Sequence, residues 1–255
     1  MLRFASLASG SGGNALVVEC GATRVMLDCG LGVRQTETRL AQLGLQPSDI
    51  QAIVLTHEHQ DHVGGVLAFA QRHGTKVYAT WGTQRAAALD AAALALELID
   101  SHVEFSISNL QIVPMPVPHD AREPVQFVFS DGQRRLGVLT DTGAPTAHIS
   151  ACLSGVDALV LECNHDLNLL EQGGYPEWLK RRVGGPLGHL SNRQAAQLLA
   201  SIDHSRLQHL VAAHLSASNN SPALAQSALA GVIGCEPGWI GVADQKTGLA
   251  WREVR

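Results

Sequence analysis

Aromatic residues are scarce in this chain of 255 residues, where Phe, Trp and Tyr together make up 4%. The interior must therefore be filled mainly by Leu, Val, Ile and Ala, and platforms on which nucleobases could stack are few. The apolar fraction of 45% is nevertheless ordinary for a globular protein with a core. Because no linker, charge block or low-complexity segment interrupts the sequence, we interpret residues 1–255 as a single domain.

The chain also lacks an excess of positive charge. Its 18 Lys and Arg residues stand against 23 Asp and Glu residues, which gives a formal net charge of −5. This balance argues against a broadly basic surface for nucleic acid. Bound divalent metals or a local basic patch would still supply positive charge at the place where phosphates bind.

Neither disulfides nor membrane segments are indicated. The five cysteines are odd in number, widely scattered and free of any C-x-x-C pair, a pattern that favours a reducing cytosol. The apolar stretch before the Gly/Ser-rich residues 9–13 is too short for a signal peptide, and no run of about 18 apolar residues exists. We therefore expect a cytoplasmic protein without a membrane span.

The most informative stretch is Thr56–His62, with the sequence T-H-E-H-Q-D-H. It directly follows an apolar run that is typical of a buried strand and precedes a predicted helix. In an H-x-H pattern both side chains point the same way, so His57 and His59 can share one metal. Asp61 and His62 come one turn later and suit a second metal. Neither pair completes a coordination shell, so further ligands must come from distant segments.

Further candidate ligands lie just after predicted strands elsewhere in the chain. They are His119, Asp141, His165 and His214. The ends of strands in one sheet system can meet at a common rim. One histidine at a strand end is usually structural, but five such ends in a chain with 12 histidines indicate a shared site. Neutral imidazole and carboxylate suit Zn²⁺, Mn²⁺ or Fe, so the sequence leaves the metal open.

Strand and helix patterns predict an α/β fold with two sheets covered on the outside by helices. Antiparallel strands dominate the first half, and strands alternate with helices in the second. Specific predictions include a helix over 33–43, a long Ala/Leu-rich helix over 83–99, a β-hairpin at Asp131-Gly132 and a helix capped by Ser191. The Gly/Ser loop over 9–14 has bare backbone amides that suit either an anion cradle or a flexible connection.

The stretch T-H-E-H-Q-D-H matches the H-x-H-x-D-H signature of the metallo-β-lactamase-fold hydrolases. In detail the chain resembles the YycJ (WalJ)-type 5′–3′ exonuclease branch of that family, and the resemblance runs essentially end to end. The segments that carry it are S-G-S-G-G-N (9–14), L-T-H-E-H-Q-D-H (55–62), P-H-D-A (118–121), L-T-D-T-G (139–143), E-C-N-H-D (162–166), Y-P-E-W-L-K-R-R (175–182), G-H-L-S-N (188–192) and A-H-L-S-A-S-N-N (213–220).

The resemblance implies a four-layer αββα sandwich of the metallo-β-lactamase type, with the site on one edge. It also implies the ligands of two divalent metal ions. These are His57, His59 and His119 for the first metal, Asp61, His62 and His214 for the second, and Asp141 as a bridge. His189 matches a catalytic histidine that lies beside the scissile phosphate in related phosphodiesterases and does not bind metal.

We therefore expect a dinuclear-metal-dependent phosphodiester hydrolase, a 5′–3′ DNA exonuclease that uses a metal-bridging hydroxide. Asp61 would orient this nucleophile, and His189 would protonate the leaving oxygen or stabilise the transition state. The expected substrate is nucleic acid, with DNA favoured over RNA. Candidate contacts to the substrate or around the metals are Ser11, Asn14, His165, Lys180, Arg181, Arg182 and Asn219.

Two other functions remain open from the sequence. The same metal site serves a hydrolase of a small cyclic phosphodiester, thioester or lactone, and the negative charge and few aromatics favour that alternative. A non-catalytic metal-binding protein is the other, although a structural site would be closed with four ligands per metal. Likewise, Lys180–Arg182 suits either a solvated helix face or a phosphate contact, and His189 suits a helix cap as well as catalysis.

Overall fold

Two seven-stranded sheets form the centre of the computed structural model, which describes residues 1–89 and 94–255. The first sheet has the order β14-β1-β2-β3-β4-β5-β6, with β1 at Leu2–Ala8, β2 at Ala15–Cys20, β3 at Thr23–Leu27, β4 at Ala52–Val54, β5 at Lys76–Thr80, β6 at Leu96–Ile99 and β14 at Leu249–Val254. The second has the order β13-β12-β11-β10-β9-β8-β7, with β7 at Phe105–Ile107, β8 at Leu110–Pro116, β9 at Val125–Ser130, β10 at Arg135–Leu139, β11 at Ala158–Glu162, β12 at His209–Ala213 and β13 at Gly241–Val242.

Helices cover the outer face of each sheet. Those in the described ranges are α1 (Val33–Gln42), α2 (Gln60–Val63), α3 (Val66–His73), α4 (Trp81–Ala86), α5 (Ala147–Leu153), α6 (Leu167–Gln172), α7 (Glu177–Val183), α8 (Asn192–Ser201) and α9 (Pro222–Ile233). None of the helices in these ranges is long and apolar enough to cross a membrane. All five cysteines are free thiols.

Three apolar clusters hold the layers together. The central cluster lies between the sheets and joins Phe4 of the first to Phe127 of the second. A second cluster packs α1 and α3 on the first sheet through side chains such as Phe69. A third packs α5, α8 and α9 on the second sheet through side chains such as Leu198. These four layers confirm the predicted αββα sandwich of the metallo-β-lactamase type.

Parallel pairing in both sheets brings several strand ends to one edge. Strands β3, β4, β5 and β6 pair in parallel, as do β10, β11, β12 and β13. The carboxyl ends of parallel strands lie at the same edge of a sheet, where ligand sites commonly form. The segments that follow these strands therefore meet along one rim of the sandwich.

The predicted long helix over 83–99 is wrong. Helix α4 ends at Ala86, and Leu96–Ile99 forms a strand that pairs in parallel with β5; residues 90–93 of the predicted helix lie outside the described residues. An Ala/Leu-rich composition favours a helix locally, but pairing with a neighbouring strand outweighs this preference of a few tenths of a kcal/mol per residue. By contrast, α1, the β9–β10 hairpin and the Ser191 cap confirm the other predictions.

The helix predicted after the histidine cluster is divided in two. Helix α2 is a single turn that begins inside the cluster, and α3 starts after Gly64 and Gly65. A Cβ on Gly65 would lie 1.9 Å from the carbonyl oxygen of Leu31, and the Gly65 amide donates to the carbonyl of Cys29 at 2.7 Å. The glycine pair thus allows this turn to pack directly on the loop after β3.

Candidate metal centre

The residues predicted as metal ligands lie together at one edge of the two sheets. They are His57, His59, Asp61 and His62 after β4, His119 after β8, Asp141 after β10 and His214 after β12. Within each group that they form, the candidate ligand atoms lie within 4.8 Å of one another. The sandwich therefore brings together side chains that are up to 157 residues apart in sequence.

Three residues at this edge have an unusual backbone. Asp28, Asp141 and His214 have φ angles of 59°, 54° and 55°, in the left-handed region that residues other than glycine seldom adopt. Such conformations cost about 1–3 kcal/mol each and persist only where the surrounding contacts determine them. The fold thus accepts local strain at the positions from which these side chains enter the site.

His57, His59 and His119 form a cluster that we call the imidazole triad. Nε2 of His119 lies 3.3 Å from Nδ1 of His59. Tetrahedral coordination with metal–nitrogen distances of about 2.0–2.1 Å would place two ligand nitrogens about 3.4 Å apart. Nε2 of His57 is buried and has no hydrogen-bond partner within residues 1–89 and 94–255. Because buried polar atoms normally have a partner, this nitrogen fits a metal ligand.

Hydrogen bonds orient the imidazole triad. Nδ1–H of His119 donates to the carbonyl oxygen of Gly188 at 3.0 Å, and Nε2–H of His59 donates to that of Asp120 at 3.2 Å. A carbonyl oxygen can only accept, so each contact places the proton on one ring nitrogen and leaves the other free for a metal. Second partners of this kind are typical of histidines that bind metals.

Asp61, His62 and His214 form a second cluster, the mixed triad. Oδ2 of Asp61 lies 3.5 Å from Nε2 of His62 and 3.4 Å from Nε2 of His214. Behind this triad, Nδ1–H of His62 donates to Oδ2 of Asp28 at 2.8 Å. Asp28 is held in turn by the amide and hydroxyl of Thr56, each at 2.9 Å. The buried Asp28 carboxylate therefore fixes the ring of His62.

Asp141 lies between the two triads. Its Oδ2 is 3.1 Å from Nε2 of His62, and its Oδ1 is 3.6 Å from Nε2 of His214. Its carboxylate also groups with His57 of the imidazole triad, within the same 4.8 Å limit. A buried carboxylate that faces both triads has the position that a bridging ligand requires.

The two triads differ in charge in the absence of metal. Burial lowers the pKa of His57 and of His119, which keeps both imidazoles neutral. Burial opposes charge on His62 and His214 as well, but Asp141 and neighbouring carboxylates outweigh it. As a result, the pKa of His62 lies well above its usual value and that of His214 rises to about 10. In the mixed triad, His62 and His214 are thus protonated in the absence of metal, and a bound metal ion would take the place of these protons.

His189 lies beside both triads but is engaged elsewhere. Its Nδ1–H donates to Oε1 of Glu162 at 2.8 Å, so this nitrogen is not free for a metal. Burial alone would lower the pKa of His189, but the Glu162 carboxylate raises it. Glu162 is fully buried, and the amides of Thr142 and Leu190 each donate to its Oε2 at 3.1 Å. Burial favours the neutral acid, yet neighbouring imidazoles lower the pKa of Glu162 to about 2.

The Gly/Ser loop approaches the mixed triad through Asn14. The Asn14 amide nitrogen lies 3.2 Å from Oδ2 of Asp61 and 3.1 Å from Nε2 of His62. Three backbone amides of the loop already have acceptors: Gly10 donates to the Asn14 side chain, Gly12 to Gln245 and Gly13 to the carbonyl of Gly10. These three amides are therefore not free to bind an anion, and the loop brings Asn14 to the mixed triad.

A cleft of about 380 Å³ opens above the two triads. Asp61, Asp141, His189, His214 and Ser11 are among the residues that line it. Tyr175, which precedes α7, and the α7 side chains Leu179, Arg182 and Val183 line it as well. A cleft of this size suits a small ligand or a single unit of a polymer.

The other predicted contact residues divide into two groups. Arg182 lines the cleft, and its Nε donates to Oδ2 of Asp120 at 2.7 Å. Lys180 and Arg181 do not line it, and Lys180 instead donates to the carbonyl of Glu171 at 2.6 Å. Two further residues lie outside the lining and are buried, His165 and Asn219.

Four residues at the site were not singled out from the sequence. Asp28 supports His62, Glu162 supports His189, and Asp120 pairs with Arg182. Tyr175 lines the cleft. A signal existed for the three carboxylates, since Asp28 directly follows β3, Glu162 ends β11 and Asp120 adjoins the predicted ligand His119. Tyr175 begins the Y-P-E-W-L-K-R-R segment, but its role was not indicated, because one aromatic residue before a helix is equally typical of packing.

The donor set fits divalent cations, because it combines unpartnered imidazole nitrogen with deprotonated carboxylate oxygen. Together, the αββα sandwich and a cleft of such ligands at its edge define a metal-dependent hydrolase of the metallo-β-lactamase fold.

Comparisons with known proteins agree with this class. A family model described as "Beta-lactamase superfamily domain" matches residues 23–214. The chain is 33% identical to exodeoxyribonuclease YycJ of Bacillus anthracis over 241 residues, which cover 91% of the chain and 89% of that protein. It is 31% identical to exodeoxyribonuclease WalJ of Streptococcus pneumoniae over 228 residues, which cover 88% of the chain and 85% of WalJ. The crystal structure of the metallo-β-lactamase fold protein YhfI from Bacillus subtilis superposes with a TM-score of 0.77 at 13% sequence identity. The superposition covers 99% of this chain and 100% of YhfI.

The chain therefore belongs to the β-lactamase superfamily, and the predicted resemblance to the YycJ/WalJ exonucleases is confirmed.

Proposed function

We propose that the protein is a dinuclear-metal-dependent 5′–3′ DNA exonuclease of the reducing cytosol. The observation that carries the proposal is the similarity to two exodeoxyribonucleases along about nine-tenths of the chain, combined with a ligand set for two cations. The five free thiols suit a reducing compartment.

Seven side chains would hold two divalent ions, either Zn²⁺ or Mn²⁺, with Fe also compatible. The imidazole triad would hold one ion and the mixed triad the other, with Asp141 between them. When bound, such ions polarise phosphoryl oxygens and lower the pKa of water, so that a nucleophile is available near neutral pH. Their positive charge also offsets the net charge of −5 at the point where phosphates enter.

Asp61 would orient the attacking water, and His189 would donate a proton to the leaving group. Burial opposes ionisation of Asp61, but hydrogen bonds from His214 and His62 lower its pKa strongly, so it is a carboxylate that can orient an attacking water. His189 is 21% exposed to the cleft and its pKa is raised by Glu162. A protonated His189 can therefore donate to the 3′ oxygen that leaves when the phosphodiester bond breaks.

Arg182 would bind a substrate phosphate at the mouth of the cleft. Its side chain is 56% exposed and already pairs with a carboxylate of Asp120. A phosphate oxygen offers the same kind of acceptor as that carboxylate, with a geometry that suits guanidinium. Entry of a phosphate at this point would bring it next to Nε2 of His59 and His119, because Asp120 lies 3.8 Å and 3.5 Å from them.

The test is a time course on single- and double-stranded DNA and RNA, labelled at either the 5′ or the 3′ end, with Mn²⁺ or Zn²⁺. Digestion from the 5′ end should release a 5′ label at once as a mononucleotide and shorten a 3′-labelled strand stepwise. Excess chelator should stop both, and added metal should restore them. His119→Ala should abolish digestion, whereas His102→Ala, which removes an exposed imidazole outside the cleft, should not.

A hydrolase of a small cyclic phosphodiester, thioester or lactone is the second candidate. The cleft volume of about 380 Å³ favours it, since this size is at the small end for ligand pockets. The same reaction mixtures decide between the two, with a small ester added as a second substrate. Turnover of the small ester with intact DNA and RNA would establish this second function and contradict the first.

A further inference from the structure

Part of the cleft lining has a chemistry that the metal site does not explain. Tyr175, Leu179, Arg182 and Val183 contribute an aromatic ring, two aliphatic side chains and a cation to the same cleft. Metal ligation and proton transfer need none of the three apolar groups. Tyr175 is half-buried and lines the cleft, so part of its side chain is accessible from it.

Aromatic side chains are few in this protein, and the two tyrosines are used differently. Tyr78 is buried in the interior, where its ring stacks on Phe105 at a centroid distance of 5.7 Å. Tyr175 is the tyrosine that lines the cleft. An aromatic face next to an arginine is the combination by which proteins bind single-stranded nucleic acid, with the ring under a base and the guanidinium near a phosphate.

The end of α7 that lines the cleft contacts the segment that carries the proton donor of the reaction. The His189 amide donates to the carbonyl of Val183, the last residue of α7, at 2.8 Å. A Cβ on Gly188 would lie 2.1 Å from the carbonyl of Arg182, so the connecting turn packs tightly on the end of the helix. His189 acts on the 3′ oxygen of the nucleotide that leaves. The base of that same nucleotide would therefore lie on the side of the cleft where Tyr175 is found.

We propose that Tyr175 stacks on the base of the nucleotide being released, so that this nucleotide must be unpaired when it enters the cleft. The inference rests on the proposed exonuclease function and adds a base-binding residue and a requirement for a single-stranded end. A base paired and stacked within a duplex has both faces covered, and it must leave the stack before an enzyme side chain can reach it. The cleft of about 380 Å³ has room for one such unit and none for a duplex.

The experiment compares two single-stranded DNA substrates that differ only in their 5′-terminal nucleotide, which carries a base or is abasic. Loss of stacking on one base corresponds to roughly a 5- to 100-fold change in affinity. Wild-type protein should therefore show a KM for the abasic end that is higher by about this factor. Tyr175→Ala should raise KM for the normal end to the abasic value and leave the abasic value unchanged. Tyr175→Phe should behave like wild type.

Trp178→Ala is the matched control, because Trp178 is an aromatic residue three positions after Tyr175 that is 66% exposed and does not line the cleft. It should retain the wild-type ratio between the two substrates. If Tyr175→Ala is unstable, Tyr175→Leu keeps an apolar side chain without the ring. This variant should also lose the difference in KM between the normal and the abasic end. A duplex with a mispaired 5′ end should be digested faster than the same duplex fully paired, in wild type but less so in Tyr175→Ala.

Two results would overturn the inference, and they are distinguishable. If DNA is digested but Tyr175→Ala keeps the wild-type preference for a terminal base, the base does not lie on Tyr175 and only this inference fails. If wild-type protein hydrolyses bis(4-nitrophenyl) phosphate but leaves every DNA and RNA intact, the proposed exonuclease function fails and the inference fails with it.

Discussion

The imidazole triad and the mixed triad lie side by side, yet they differ in how the protein prepares them for a cation. In the imidazole triad, burial keeps His57 and His119 neutral, and Nε2 of His57 is buried without a hydrogen-bond partner among the described residues. The mixed triad includes a carboxylate, and its two histidines have raised pKa values. A metal would fill an empty donor position in the first triad and would displace protons from the second. The two positions are therefore expected to differ in affinity and in pH dependence.

The largest effect is expected at Asp141, the residue that faces both triads. Asp141→Asn keeps the size of the side chain and tolerates the left-handed backbone, but it removes the charge and one of the two oxygens. Metal content measured after dialysis should fall at both positions, and hydrolysis should fall by more than the roughly 10- to 100-fold that is typical when only a supporting residue is changed.

Asp120→Asn provides the control for this change. Asp120 also lines the cleft, but its carboxylate pairs with Arg182 and does not lie between the triads. The Asp120→Asn variant should retain two metal ions per chain. Normal metal content in Asp141→Asn would show that this carboxylate does not connect the two positions.

A smaller and more selective effect is expected at Asp28. Its carboxylate orients His62, and within the described residues it makes no direct hydrogen bond to a member of the imidazole triad. Asp28→Asn should weaken metal binding at the mixed triad by about 10- to 100-fold and leave the imidazole triad filled. The measurement is a metal titration with a competing chelator, which should change from two tight steps to one tight and one weak step. Equal weakening of both steps would remove the distinction between the triads.

The last effect is the dependence of metal binding on pH, which is small over a fraction of a pH unit and accumulates over a wider range. Because the pKa of His214 is raised to about 10 and that of His62 is raised as well, both hold protons at neutral pH that a metal must displace. Lowering the pH therefore favours the protonated histidines and weakens metal binding at the mixed triad. The affinity falls by about tenfold per pH unit for each proton displaced. His57 and His119 have lowered pKa values and impose no such cost near neutral pH.

Two single-triad variants make this comparison measurable. His59→Ala leaves the mixed triad complete, and His62→Ala leaves the imidazole triad complete. Between pH 8 and pH 6, the apparent dissociation constant should rise steeply in the first variant and only slightly in the second. Identical slopes in the two variants would contradict the assigned difference in charge.

Much of the site follows from local sequence, and the Thr56–His62 stretch is the best example. The spacing of His57 and His59 and the strand before them already specify a shared direction, because both depend on backbone geometry within a few residues. The cap at Ser191 and the hairpin after β9 are local in the same sense. The long helix over 83–99 failed for the opposite reason, since pairing of β6 with β5 is a contact between segments about 20 residues apart.

By itself, the sequence determined the chemistry of the donors, since histidine and aspartate at strand ends bind metals in any fold that brings them together. Only the tertiary structure decided which of them carry protons, because burial and the positions of Asp28, Asp141 and Glu162 set those pKa values. It also decided that Tyr175 and Arg182 face the cleft while Lys180 and Trp178 do not line it. Spacing along the chain fixes which residues are near in sequence, whereas packing of the two sheets and α7 fixes which surfaces meet.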